Sequence, residues 1–271
     1  MTTAQIKNSF KSIGEIEATV APSSLVLKLS FTNASLRYFV LSQTSHQIIF
    51  WGDYTLHNIS SDIELANRVE KIFEKDEILQ INYSKILVGL DDTYSVMPTE
   101  FSFLINQEEQ QSQNLGDTEL VYQTSEKILQ TIKRLFPKAE LLHLNSTYLH
   151  TLPKYLNEST EKLFLNVSHS HFDLVRFNGD KKLRLMNRYP YQASSDFIYF
   201  VLLCCEELKI NREETELVLM GNIDSESGIY DLCLRYFRHL SFIQKPEAVN
   251  FTKAFENFPK HHHFNLYNLN P

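Results

Sequence analysis

The sequence predicts an α/β fold of two halves, each a three-strand meander followed by a helix and a further strand. Three observations carry this: hydrophobic alternation in two groups of three segments, a capped helical stripe after each group, and near-constant spacing between corresponding elements. Leu25, Leu27, Leu29 and Phe31 alternate with Val26, Lys28 and Ser30, the pattern of a strand with one face on a core. Thr32-Asn33-Ala34-Ser35 reads as a turn, residues 36–42 as the second strand and residues 46–54 as the third. Ser61 and Asp62 then cap a helix whose Ile63, Ala66, Val69, Ile72 and Phe73 recur at helical spacing. Residues 85–89 supply the next strand.

The same order returns with strands at 163–168, 172–177 and 182–189, the last two joined by the turn Asn178-Gly179-Asp180. Ser194, Ser195 and Asp196 open a helix to Lys209, with Phe197, Phe200, Val201, Cys204 and Leu208 on one stripe, and residues 216–221 form its strand. Leu163 follows Leu25 by 138 positions, Asp196 follows Asp62 by 134, and Gly221 follows Gly89 by 132, as internal duplication predicts. Each half continues as helix, strand and helix: residues 125–136, 139–144 and 147–156, then 228–237, 240–243 and 248–255. The halves are residues 1–158 and 159–271. The first holds an extra segment at 91–122, in which residues 106–114 read as an exposed loop.

A net charge of −7 argues against general attraction to nucleic acid or an anionic membrane, since both require positive charge. Residues 1–20 carry Lys7, Lys11, Glu15 and Glu17, so no apolar export segment or membrane span is predicted, and the expected location is the cytoplasm. Cys204, Cys205 and Cys233 show no paired spacing and read as reduced core thiols. With 7 glycines, the chain is poor in material for phosphate-cradling loops.

The repeated plan, together with Leu163-Phe164-Leu165-Asn166-Val167, Phe172-Asp173-Leu174-Val175, Glu216-Leu217-Val218-Leu219-Met220-Gly221 and His263-Phe264-Asn265-Leu266-Tyr267, resembles a bacterial family of uncharacterised function and roughly this length. The similarity covers nearly the whole chain. Its halves are of the actin, sugar-kinase and heat-shock ATPase type, which is ribonuclease H-like, and it is distantly similar to the actin-like assembly proteins of type IV pili and type II secretion. The resemblance implies a nucleotide cleft between the halves. In working members of the class, the first turn of each meander carries an acid and glycines, so that backbone N–H groups approach phosphate and a carboxylate holds Mg²⁺ through water. Here the turns are Thr32-Asn33-Ala34-Ser35 and Ser168-His169-Ser170-His171, without glycine or acid, and the first strands add no carboxylate. The adenosine-binding glycine pair is reduced to Gly221 in Met220-Gly221-Asn222-Ile223-Asp224.

The reading is therefore a non-catalytic actin-like scaffold with a degenerate cleft, no cofactor and a protein partner. The alternative is a nucleotide-binding protein or weak ATPase contacting its ligand through Ser35, Ser168, Ser170, Gly221, Asn222 and Asp224. A nuclease would need carboxylates on the first strand, the first helix and the fourth strand; Asp91, Asp92, Glu64 and Glu70 fill only part of that set. Lys182, Arg184 and Arg188 share one side of a strand, opposite Leu183, Leu185 and Tyr189. The candidate partner surfaces are the cleft, the extra segment at 91–122 and this basic stripe, which is suited to an acidic partner or a phosphate backbone, or else is a charged edge that deters self-pairing. No aromatics interleave with it, which disfavours nucleic acid. His169 and His171, with Asp173, read as polar turn residues, and His261-His262-His263 as part of the fold; no metal is expected at either.

Overall fold

The computed structural model describes residues 9–32, 34–106, 110–157, 160–245 and 249–270. The N-terminal strand β1 (Ser9–Gly14) pairs with the third strand of the first meander, β2 (Leu25–Phe31), β3 (Ser35–Ser42) and β4 (Gln47–Thr55). Ser61 caps α1 (Asp62–Phe73), its side chain accepting from the Glu64 N–H. Leu65, Ala66, Val69 and Ile72 are the buried stripe; Ile63 falls outside it and is exposed, contrary to the sequence reading. β5 (Lys85–Leu90) runs parallel to β2.

The extra segment forms β6 (Tyr94–Pro98), β7 (Gln111–Asn114) and β8 (Thr118–Tyr122), a separate antiparallel sheet in the order β6-β8-β7. Part of the tract expected as an exposed loop is thus the strand β7; residues 107–109 lie outside the described residues. No apolar alternation marks β7, which is positioned instead by pairing with the fully buried β8 and by its own amides. The Gln111 and Gln113 side-chain oxygens accept the backbone N–H groups of Thr124 and His143. α2 (Glu126–Leu135) packs on α1, β9 (Ala139–His143) joins β5, and α3 (Thr147–Thr151) ends in a 3₁₀ turn at Leu152–Tyr155 rather than continuing as one helix. Pro153 lacks the N–H that a continuing α-helix would use there.

The second half contains β10 (Lys162–Val167), β11 (His171–Phe177), β12 (Leu183–Pro190), α4 (Ser194–Glu207), β13 (Glu216–Gly221), α5 (Gly228–Tyr236) and β14 (His239–Phe242). Its sheet order, β12-β11-β10-β13-β14, matches β4-β3-β2-β5-β9 strand for strand, with the same antiparallel and parallel pairings.

The helix expected at 248–255 is absent among the described residues of that stretch. β15 (Asn250–Phe251) pairs with β4, a 3₁₀ turn covers Lys253–Phe255, and Ala248 lies outside the described residues. With α6 (Phe264–Asn268), this segment returns to the first sheet, where Phe255, Phe258, Phe264, Leu266 and Tyr267 are buried. Each such side chain contributes about 1.5–3 kcal/mol by leaving water. The segment covers the face of β2 that the sequence reading left to solvent. Val26 and Ser30 are buried, and Lys28 donates to the Tyr267 carbonyl at 2.8 Å, its amine lowered to about 8 by burial and by nearby Lys85. One face of β10, β11 and β13, carrying Phe164, Val175 and Met220, joins this same core; the other face packs on α4 and α5 through Leu165, Leu174, Phe197 and Cys233. No helix among the described residues is long and apolar enough to cross a membrane.

Candidate functional site

The turns β2–β3 and β10–β11, the ends of β5 and β13 and the start of α6 surround a cleft of about 730 Å³. Five of the six sequence-predicted contacts line it: Ser35, Ser168, Ser170, Gly221 and Asn222. The sixth, Asp224, lies beyond the cleft lining, two-thirds exposed and facing His262.

Each lining loop is held by its own polar groups. In the first, the Thr32 hydroxyl accepts the N–H of Ala34 at 3.1 Å and of Ser35 at 3.2 Å, while Thr32 N–H donates to the Ser35 carbonyl at 2.8 Å. The Ser35 hydroxyl shares a 3.3 Å hydrogen bond with that of Thr32, and Ser35 is only 2% exposed. Asn33 lies outside the described residues. In the second loop, Ser168 N–H donates to the His171 carbonyl, and Tyr191 donates its hydroxyl to the Ser168 carbonyl at 2.6 Å and its N–H to the Ser170 carbonyl at 3.1 Å. At the end of β13, the Gly221 and Asn222 N–H groups donate to the carbonyls of His261 and Val167. Gly221 has φ +86°, and a Cβ there would stand 2.3 Å from the Val167 carbonyl oxygen.

A buried polar network forms the floor. Asp173 of β11 sits opposite Arg188 of β12 in register and is wholly buried. Its Oδ1 accepts Arg188 Nε at 2.8 Å and the Tyr94 hydroxyl at 3.2 Å; its Oδ2 accepts Asn145 Nδ2 at 2.8 Å, the Tyr148 hydroxyl at 3.1 Å and Arg188 Nη2 at 3.2 Å. Arg188 Nη2 also reaches Asp91 Oδ1 at 2.7 Å, and its guanidinium lies 5.4 Å from the Tyr94 ring centroid. Asn265 of α6 donates to the Asn145 oxygen at 2.6 Å. The network therefore ties β11 and β12 to the ends of β5 and β9, the start of β6, and α6. Burial opposes ionisation of Asp173, but the Arg188 charge and hydrogen bonds hold its carboxyl below the usual range. His143, lowered to about 4 by burial, is neutral; its Nδ1 accepts the Asn145 N–H, so Nε2 carries the proton toward the Asp92 carbonyl at 3.0 Å. Burial raises Asp92, whose carboxylate accepts the Thr124 hydroxyl.

Arg188 is thus 11% exposed and bound to Asp173 and Asp91, which corrects its placement on a surface stripe with Lys182 and Arg184. The side of β12 carrying it also carries buried Met186 and faces the first half, while Lys182 precedes the strand and a register shift at Arg184 breaks the alternation that would align the three cations. Asp173, between Phe172 and Leu174 in an apolar strand, was the available signal: such an acid requires a buried cation or donors. With its five hydrogen bonds it is not a free ligand for His169 and His171. The cysteines are buried thiols, Cys205 pushed up to about 11 and Cys233 to about 12 by burial.

Lys182 and Arg184 line a second groove, of about 890 Å³, between β12 and β6. Both strands are sheet edges. Glu100 and Asp117 lie across from the two cations, and the 3₁₀ turn Thr99–Leu104 beside it exposes Phe101, Phe103 and Leu104, Phe103 to 76%. The extra segment and what remains of the basic stripe are therefore one surface.

Comparison with solved structures shows that the fold is that of the actin-like ATPases. A protein of Bacteroides thetaiotaomicron with an actin-like ATPase fold and unknown function superposes with a TM-score of 0.72 at 13% identity, over 84% of this chain and 94% of that one. A chain of the PilM–PilN type IV pilus biogenesis complex gives 0.59 at 10% identity, over 93% of this chain and 100% of that one. No curated protein matches the chain. The profile of a family described as "Protein of unknown function (DUF3822)" matches residues 19–240.

Proposed function

We propose, for a chain that belongs to the DUF3822 family, that it is a non-catalytic actin-like scaffold whose two halves, residues 1–158 and 159–271, descend from one duplicated unit and whose task is to hold a protein partner. The shared order and sense of five strands in the two sheets supports the duplication. One observation supports the absence of catalysis: groups of the first turn and of the cleft floor that would meet phosphate or metal are already bonded inside the protein. The Thr32 hydroxyl takes the Ala34 and Ser35 N–H groups of the first turn, and Arg188 is paired with both Asp91 and Asp173 at the cleft floor. A phosphate approaching the first turn would have to displace these bonds.

The second reading, nucleotide binding without efficient chemistry, draws on the size of the cleft, which lies within the range of small-molecule sites. Ser35, Ser168, Ser170, Gly221 and Asn222 are its contacts at the lining; Asp224 would need to swing inward. Melting scans separate the two, because a ligand held by the native state alone at a hundredfold excess over its Kd adds about 2.7 kcal/mol. The expected result is no saturable shift with ATP and Mg²⁺. A shift that saturates would establish the second reading in place of the first.

The partner site of this proposal is the groove between β6 and β12. Its walls are two edge strands, Lys182 and Arg184 line it with Glu100 and Asp117, and apolar Phe103 and Leu104 stand beside it. Its occupant is an extended segment of a partner protein, acidic where it meets Lys182 and Arg184, adding to a sheet edge as a strand with apolar residues against the 3₁₀ turn. The likeness to a chain solved in complex with another protein favours a binding role. Lys182→Glu with Arg184→Glu is expected to abolish recovery of the partner held by the wild-type chain, with melting unchanged because both residues are exposed. Undiminished recovery would remove the groove from the proposal.

A further inference from the structure

The three consecutive histidines behave differently. His263, at φ +52°, turns inward and stacks on Trp51 at 5.7 Å. His261 stacks on Phe242 at 4.2 Å, and its Nε2 lies 2.7 Å from the Ile223 carbonyl. A carbonyl can only accept, so Nε2 carries the proton and Nδ1 carries the lone pair. His262 places a solvent-shielded Nε2, without a hydrogen-bond partner, 3.3 Å from Asp224 Oδ1. Among the described residues this is the one place where three histidine, cysteine or carboxylate donors gather, each within 4.8 Å of the others.

We propose that His261, His262 and Asp224 form a binding site for a divalent first-row transition metal ion such as Zn²⁺, placed where the loop after β13 meets the C-terminal segment. The donor set fits: two imidazoles and one carboxylate suit Zn²⁺, whereas Mg²⁺ takes oxygen ligands and keeps its waters. The spacing fits as well, since two ligands about 2.0–2.2 Å from a tetrahedral ion lie roughly 3.3–3.5 Å apart, the separation of His262 Nε2 and Asp224 Oδ1. The outer support is built in, because a ligand histidine ordinarily donates its other ring N–H to a carbonyl or carboxylate, as His261 does to Ile223. Two-thirds exposed Asp224 gives the ion a route from solvent and leaves the fourth position to water. The backbone already joins the same two segments through the Gly221 N–H and the His261 carbonyl at 2.9 Å, so the ion would reinforce an existing junction.

The test uses the full chain without an affinity tag, titrated with Zn²⁺ against a chromophoric chelator and melted with and without one equivalent of metal. The expected result is one Zn²⁺ per chain and a raised melting temperature, with Mg²⁺ giving no shift. Asp224→Asn, an exposed and isosteric change, should keep the fold and weaken Zn²⁺ at least about tenfold, as should His262→Gln, while His169→Gln binds like wild type. Zn²⁺ binding that survives Asp224→Asn and His262→Gln, an equal response to Mg²⁺, or no stoichiometric binding would each overturn the proposal.

Discussion

Replacing Arg188 by alanine is expected to lower the unfolding free energy by about 3–5 kcal/mol, the range for removing one partner of a buried ion pair. The variant leaves Asp173 fully buried with no cation, and Asp91 without its 2.7 Å partner. Tyr94, Asn145 and Tyr148 still donate to Asp173, but neutral donors compensate a buried charge only in part. Urea unfolding at pH 7 measures the loss, and a cost below about 1 kcal/mol would show the pair to be peripheral.

Its pH dependence carries a second, opposite signature. A carboxyl whose pKa is depressed by folding contributes stability that is complete above its unfolded value of about 3.9 and is lost as pH falls through the lower native value. The wild-type contribution of Asp173 therefore persists from neutral pH to about pH 5 and disappears only in stronger acid. In Arg188→Ala, burial is opposed only by the remaining neutral donors and raises the Asp173 pKa, so the native state takes up a proton more readily than the unfolded one. That variant should regain stability between pH 7 and about pH 5, where the wild type does not. Parallel pH profiles for the two proteins would contradict the assignment of Arg188 as the counter-charge.

Gly221→Ala is expected to cost on the order of 3 kcal/mol. At φ +86° a residue with a Cβ carries about 1–2 kcal/mol of conformational strain, and here the Cβ would also stand 2.3 Å from the Val167 carbonyl oxygen and 2.6 Å from Asn166 Oδ1. The Val167 contact is with backbone, so relief requires moving β10 against β13, strands paired through Val167 and Gly221 themselves. Gly179→Ala, where an added Cβ meets nothing within 4 Å, should stay within about 0.5 kcal/mol of wild type. Equal melting temperatures for the two variants would defeat the explanation. The glycine where an adenosine loop would lie is thus required by the fold itself, with or without a nucleotide.

Much of the molecule was legible because its signals are local. Alternation placed both meanders, Ser61 announced α1, and the repeat located the turns that now face one another across the cleft with Ser35, Ser168, Ser170, Gly221 and Asn222. Elements without a local signal escaped. β7 is Gln-Ser-Gln-Asn and owes its conformation to β8 and to the Gln111 and Gln113 amides, while β1 and β15 exist as strands by pairing with β4.

The sequence by itself determined the α/β class, the repeated strand order and the lack of glycine and acid in the turns Thr32–Ser35 and Ser168–His171, since all three follow from residue type at fixed spacing. Only the tertiary structure decided what each strand's second face would meet. The C-terminal segment closed over β2 and drew Lys28 to the Tyr267 carbonyl, and the meeting of the two sheets turned Arg188 from an expected surface cation into the counter-charge of Asp173 and Asp91. Period-2 alternation states which residues share a side of a strand. Whether that side faces water depends on chain segments far away in sequence, and their burial sets the electrostatics of the site.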